Sequence, residues 1–363
     1  MRPVKSLKIG GYEVRYPVIQ GGMGARISAG SLAGHVAKCG GIGLIAAAGI
    51  GMNSPFFTGK NYFEADSSAL KAELEKAYQI APEGVIGVNV MVALSDYEDL
   101  VKASIEAGAK LIVCGAGLPL TLPGLTRDAP EVALVPIVSS VRAAQLIAKK
   151  WDKTYNRLPD AVIVEDPDSA GGHLGEKLEN IGNGDYDQYA TVRGVKEFFL
   201  SEYDLHIPVI AAGGIWDRKD LMHALAAGAD AVQMASRFVA TVECDAAENF
   251  KQAYIDCKKE DIGLIMSPAG LPGRAIIKNK RQLFLYDEIN RTVCATACLK
   301  KCTYKESRGR FCIVKALDRA QRGDVETGIV FCGTNAYKAE RIVTVQEIFA
   351  ELFAQEAVVE EAA

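Results

Sequence analysis

The stretch IPVIAAGGIWDRKDLMHALAAGADAVQMASRF, residues 207–238, states one pattern twice. IPVIAAGG (207–214) and ADAVQMAS (229–236) are short apolar runs that end in small residues. Between them, DRKDLMHALAAG (217–228) has apolar residues at helical spacing, opens on Asp217, a good N-cap, and stops at a glycine. Neither run alternates apolar with polar residues. That is the pattern of parallel strands buried on both faces. The stretch therefore reads as strand, helix, strand, with glycines where each strand turns toward its helix.

The same pattern recurs toward the N-terminus. PVIQGGMG (17–24), GLIAAAG (43–49), VIGVNVMV (85–92), KLIVCGAG (110–117), ALVPIVSS (133–140) and DAVIVED (160–166) bring the number of runs to eight. Helical stretches follow most of them, including SLAGHVAKCGG (31–41), SSALKAELEKAYQIAP (67–82), DYEDLVKASIEAG (96–108) and VRAAQLIAKKW (141–151). Eight βα units in succession predict an α/β fold of the (β/α)8 TIM barrel type, with an open doubly wound sheet as the alternative. Residues 167–190 are polar and turn-rich, so a long loop is expected after strand six. Beyond residue 240 the repeat ends, and a helical, cysteine-containing C-terminal extension follows. The expected organisation is a barrel over 1–240 with residues 241–363 packed on it.

Composition narrows the function classes. The 363 residues carry a net charge of −4 and are 49% hydrophobic, enough for a large core. No basic excess points to nucleic acid and no strong field to a membrane surface. The opening MRPVKSLKIGGYEV lacks the apolar core of a signal peptide. The longest apolar run, GIGLIAAAGIGM (41–52), is too short to span a bilayer. A soluble, cytoplasmic protein acting on a small molecule is the expectation. A homo-oligomer stays open, because Ile348, Leu352 and Phe353 of the C-terminal helix could pack on the barrel or on a second subunit; core packing is the expected outcome.

In such barrels the active site lies at the C-terminal ends of the strands. The residues at those ends are Gln20, Gly21, Gly22, Met23 and Gly24 on run one, Asn89 on run three, Glu165 with Gly171, Gly172 and His173 on run six, Gly213 and Gly214 on run seven, and Gln233, Met234, Ala235 and Ser236 on run eight. Glycines let a ligand lie against the backbone. Loops seven and eight commonly hold phosphate through backbone N–H groups and a helix N-terminus, and Arg237 adds a cation nearby. A phosphate-bearing ligand is expected. GGIGLIAAAGIG contains GxGxxA, but no acidic residue ends a following strand at the right distance, so it is not a dinucleotide fingerprint. Of the four histidines, only His173 follows a Gly-Gly pair at the catalytic end of a strand, where its titration near neutral pH suits acid/base work.

Four of the nine cysteines crowd into CATACLKKCTYKESRGRFC (294–312): Cys294, Cys298, Cys302 and Cys312, spaced C-x3-C-x3-C-x9-C. In a reduced compartment that density points to metal or redox sulfur chemistry. A 4Fe–4S iron–sulfur cluster is the leading expectation, with zinc and no metal as alternatives. On a straight helix Cys294 and Cys302 would lie about 12 Å apart, so convergence requires the segment to bend.

IQGGMG (19–24), GVNVM (87–91), IVEDPDSAGGH (163–173), IPVIAAGGI (207–215), GADAVQMASRF (228–238) and SPAGLPGRAI (267–276) together resemble the nitronate monooxygenase family, also called the 2-nitropropane dioxygenase family. The flavin-dependent enoyl-acyl carrier protein reductases belong to the same group. The resemblance implies a barrel that binds FMN noncovalently. Gln20–Gly24 and Asn89 would face the flavin ring, and Gly171 and Gly172 its edge. Gly213, Gly214, Met234, Ala235 and Ser236 would hold the phosphate, and His173 would be the active-site histidine. The sequence departs from the family in two ways. Asp166 follows the glutamate where the family more often has glycine, and the best-known members lack the cysteine cluster.

The implied function is an FMN-dependent oxidoreductase with His173 as acid/base or substrate-binding residue. Two reactions fit: oxygen-dependent nitronate oxidation, as a monooxygenase, or NAD(P)H-dependent reduction of an enoyl thioester. The cysteine cluster inclines the reading toward electron transfer. A flavin-free barrel enzyme for a phosphate ligand and a noncatalytic flavin or metal-binding module are the competing classes.

Overall fold

The computed structural model describes residues 4–277, 294, 296–306 and 311–360, and of 355–360 the backbone alone. A hairpin of β1 (Leu7–Ile9) and β2 (Tyr12–Val14) opens the chain. The βα units follow in order: β3 (Val18–Gln20) and α1 (Gly30–Lys38), β4 (Ile42–Ala46) and α2 (Tyr62–Ile80), β5 (Val85–Met91) and α3 (Tyr97–Glu106), β6 (Leu111–Gly115) and α4 (Leu122–Leu125). After these come β7 (Ala133–Val138) and α5 (Val141–Tyr155), then β8 (Val162–Glu165) with the two-residue β9 (Gly172–His173) and α6 (Gln188–Tyr203). The last units are β10 (Val209–Ala212) with α7 (Arg218–Ala226) and β11 (Ala231–Met234) with the one-turn α8 (Ser236–Val239). Strands β3, β4, β5, β6, β7, β8, β10 and β11 close into a parallel barrel. Each of the eight apolar runs supplies one strand, and the barrel expectation holds.

Burial on both faces explains the missing alternation. Ile19, Leu44, Val113, Val135, Ile163 and Ile210 fill the barrel interior, and Leu7, Ile9 and Val14 of the hairpin pack onto the same cluster. The intervening residues, such as Val18, Ile45, Val88, Ile112 and Val232, pack outward against the helices. A Cβ on Gly10, at the hairpin turn, would stand 3.3 Å from Ala133 Cβ, where β7 begins, and Leu7, Ile9 and Val14 join the interior cluster, so the hairpin plugs the N-terminal end of the barrel. The opposite end is left open for a site. Ser140, Asp187 and Asp217 cap α5, α6 and α7 with side-chain oxygens, as expected for Asp217.

The extension adds α9 (Glu248–Ile255), β12 (Ile262–Met266), β13 (Pro272–Ile276), α10 (Ile313–Gln321) and α11 (Val345–Glu360). β12 and β13 pair antiparallel, and β13 pairs with β9, with Gly273 opposite His173. The extension is thus stitched into the strand-six loop. Ile348, Leu352 and Phe353 are buried within this chain, and Phe353 stacks on Tyr16 at 4.1 Å between ring centroids. Among the described residues no helix is long and apolar enough to cross a membrane.

Candidate active site

A cleft of about 1290 Å³ opens at the C-terminal ends of the barrel strands. Every sequence-selected ligand residue except Gln20 lines it: Gly21, Gly22, Met23, Gly24, Asn89, Glu165, Gly171, Gly172, His173, Gly213, Gly214, Gln233, Met234, Ala235 and Ser236. Gln20 departs from expectation. Its side chain is fully buried in the barrel wall, where Oε1 accepts from Leu44 N–H at 3.2 Å and Nε2 donates to the Gly21 carbonyl. It fixes the β3–β4 backbone and does not line the cleft.

The glycines are required by close approach. A Cβ on Gly22 would stand 2.4 Å from Asn89 Cβ, and one on Gly171 would stand 2.4 Å from the Cys332 carbonyl carbon. Gly213 and Gly214 have φ of +105° and +69°, conformations that other residues rarely adopt. Their turn carries the chain from β10 to the N-terminus of α7, leaving a cradle of backbone at the cleft. The Gln233 side chain crosses Gly21, and its buried Oε1 has no hydrogen-bond partner among the described residues. A buried acceptor without a partner is costly unless a ligand supplies a donor. The glycine cradle and this orphaned acceptor fit a phosphate-bearing, ring-containing ligand such as FMN.

Strand six delivers the titratable groups. His173 stands on β9, its Nε2 2.7 Å from Ser267 Oγ, with the Phe331 ring edge-on at 5.1 Å. Burial pushes its pKa down to about 4, because the imidazolium would have to give up water without a carboxylate in return. The ring is therefore neutral at pH 7. Glu165 behaves in the opposite sense. Burial and the neighbouring Asp166 raise its pKa to about 7, while Arg274 pulls it down. Arg274 is itself buried and donates to the carbonyls of Ala170 and, at 3.2 Å, Pro167, holding the loop that presents His173. Asp166 shapes that loop from within, accepting from Asp168 N–H at 2.8 Å and from the Ser169 hydroxyl.

Sequence reasoning missed the segment Phe331–Asn335. It lies about 160 residues after strand six and belongs to no named element. Gly333 N–H donates to Ser236 Oγ at 2.8 Å, Thr334 N–H to the Ser169 carbonyl at 3.0 Å, and Asn335 Nδ2 to the Gly214 carbonyl at 2.6 Å. One short loop thus clamps strand ends six, seven and eight. A glycine after an apolar run was its only signal. Arg237 is the converse case. Its guanidinium pairs with Glu351 on α11 and lies 5.0 Å from the Trp216 ring centre, and it is absent from the cleft lining.

Cys298, Cys302 and Cys312 are buried, Cys294 is partly exposed, and all four are free. They line one small chamber, separate from the cleft. Among the described residues no group of three or more His, Cys, Asp or Glu is arranged to hold a single metal ion.

The nitronate monooxygenase family model matches residues 5–355. The chain belongs to the nitronate monooxygenase family. This bears out the resemblance carried by the strand-end motifs, over a longer span than those motifs cover. A (3aS,4S,5R,7aS)-5-hydroxy-7a-methyl-1-oxo-octahydro-1H-indene-4-carboxyl-CoA dehydrogenase of Mycobacterium tuberculosis is 25% identical over 263 residues, 72% of this chain and 63% of that protein. The match thus spans less than two thirds of that relative's length. A probable nitronate monooxygenase of Staphylococcus saprophyticus is 25% identical over 72% of this chain and 76% of its own. Among solved structures, FabK from Thermotoga maritima superposes with a TM-score of 0.70 at 27% identity, covering 96% of this chain and 95% of that one. The family match runs through the extension to residue 355, in keeping with a clamp and a β12–β13 hairpin that are part of the site.

Proposed function

We propose that this chain is an FMN-dependent oxidoreductase acting on a small molecule in the cleft. The observation that carries the reading is the Gly213–Gly214 turn at β10–α7 beside the small residues Ala235 and Ser236 at β11–α8, with the unpartnered Gln233 acceptor beside Gly21. Gly213, Gly214, Ala235 and Ser236 would take the phosphate on backbone N–H groups near the α7 N-terminus, where the helix dipole favours an anion. Gly21, Gly22 and Met23 with Asn89 would lie along the ring, and Gln233 would accept a hydrogen bond from it. FMN, when bound, supplies the two-electron chemistry.

The protein's own part is binding, orientation and one proton. His173, neutral and bonded to Ser267, can hold or pass a proton at Nε2 toward a substrate in the cleft. The cleft volume exceeds the 300–1,000 Å³ typical of a pocket for one small ligand, leaving room for a cofactor and a second molecule together. That room favours a second, narrower reading within the same class: NAD(P)H-dependent reduction of an unsaturated thioester. The carboxyl-CoA dehydrogenase relative supports thioester chemistry.

The test is an anaerobic absorbance titration of FMN-loaded protein. Bleaching by NADH or NADPH, reversed by an enoyl-CoA, supports the reductase. Bleaching only by a nitronate, with turnover in oxygen, supports the monooxygenase. Failure to retain FMN at all would overturn the flavin reading.

A further inference from the structure

Cys294, Cys298 and Cys302 come from one irregular segment, while Cys312 is the N-cap of α10. The segment bends as convergence requires. Leu299 bridges to Leu94, Ser95 N–H donates to the Cys298 carbonyl at 3.0 Å, and Lys300 N–H donates to the Ala93 carbonyl at 2.9 Å. These contacts fold the chain around a chamber lined by all four sulfur-bearing residues with Ala297, Leu299, Tyr304, Lys305 and Ile313.

The surroundings supply donors and cations. The Val314 and Lys315 amides at the α10 N-terminus donate to the Cys312 sulfur. Lys305 lines the chamber, and Lys300 and Lys301 flank Cys302. The four residues are gathered, without disulfides and largely buried, yet no three of them close on a single ion. A mononuclear zinc site draws its four sulfurs onto one centre at about 2.3 Å. A polynuclear cluster carries its own sulfide and sets the cysteines farther apart, around a shared chamber.

We propose that Cys294, Cys298, Cys302 and Cys312 ligate a 4Fe–4S cluster in the wall of the active-site cleft. Its position follows from the same hydrogen bonds. The loop that receives the segment, Met91–Ala93, lines the cleft with Lys300 and Lys301, and Lys300 Nζ donates to the Val92 carbonyl at 2.8 Å. One layer of chain therefore separates chamber from cleft, beside the C-terminal end of β5, the strand that carries Asn89. The proposal is independent of the flavin reading.

The experiment is metal and sulfide analysis of the full chain, purified without oxygen, with FMN released and counted from the same sample. About four iron and about four acid-labile sulfide per chain are expected, with broad visible absorption that dithionite bleaches. Cys298→Ser and Cys302→Ser should each lower iron severalfold, while Cys257→Ser, buried elsewhere in the fold, should leave it unchanged. Should the buried variants fail to fold, Cys294→Ser, at the partly exposed member, carries the same expectation. Zinc without sulfide overturns the cluster, as does protein that keeps FMN but holds no metal. So does iron that persists in every variant.

Discussion

Gly171→Ala tests whether the clamp from the C-terminal extension builds the site. The new methyl would stand 2.4 Å from the Cys332 carbonyl carbon, 2.5 Å from Gly333 N and 2.7 Å from the Cys332 oxygen. Ordinary carbon contacts lie at about 3.5–4.0 Å, so this backbone must withdraw by roughly 1 Å. Withdrawal strains the bonds from Gly333 N–H to Ser236 Oγ and from Thr334 N–H to the Ser169 carbonyl. Overpacking of this kind costs about 1–3 kcal/mol, and one lost hydrogen bond adds about 0.5–1.5 kcal/mol. The expected loss is therefore roughly 2–4 kcal/mol, read from the urea midpoint of unfolding. Ser236 and Gly214 belong to the phosphate cradle, so part of the loss should fall on the ligand. Each 1.4 kcal/mol that does so weakens FMN binding about tenfold, measured by fluorescence titration. Gly175→Ala is the control, since its methyl meets only Ser139, with Oγ at 3.6 Å and Cβ at 3.9 Å. If Gly171→Ala unfolds at the wild-type urea concentration and binds FMN with wild-type affinity, the clamp does not hold the site and the reasoning is wrong.

Three further outcomes follow from the same structure. The His173 pKa falls from 6.5 to about 4 on folding, so the unfolded chain binds the extra proton first. Stability of the FMN-free protein should be unaffected by this group above pH 6.5 and decline as pH falls toward 4, by up to about 3 kcal/mol; His173→Gln should flatten that decline, and an unchanged pH profile would exclude it. Glu165 has the opposite sign: its pKa rises from 4.5 to about 7, so the folded state loses stability as pH rises through that window. Glu165→Gln should accordingly stabilise the FMN-free protein above pH 7, by about 1–3 kcal/mol, and change little below pH 4.5, and equal effects at both ends of a pH series of urea melts would sink the assignment. Phe353→Ala removes a buried ring stacked on Tyr16 and should cost about 3–5 kcal/mol, read by denaturant unfolding; a cost near zero would mean that α11 is not docked on the barrel.

The barrel was legible because its rule is local. Parallel strands buried on both faces must be continuous apolar runs, and each must turn into its helix within a few residues, so pattern and punctuation mark them one by one. The strand-end residues were legible for the same reason: once the strands are placed, their C-terminal ends share one rim by topology, and His173, Gly213 and Gln233 come together there without any further information. What lies off that rule was not readable. Gln20 ends a strand, yet its amide turns into the wall, because Leu44 N–H and the Gly21 carbonyl are nearer partners than any ligand. Arg237 follows the eighth strand, yet Glu351, more than a hundred residues later, takes its charge. The low pKa of His173 needs the desolvation that the folded surroundings supply. The clamp at Phe331–Asn335 and the chamber around the four cysteines depend on where a segment without periodicity comes to rest. That is decided by long-range hydrogen bonds, to Ser236, Gly214 and Ala93, which only the closed barrel brings within reach.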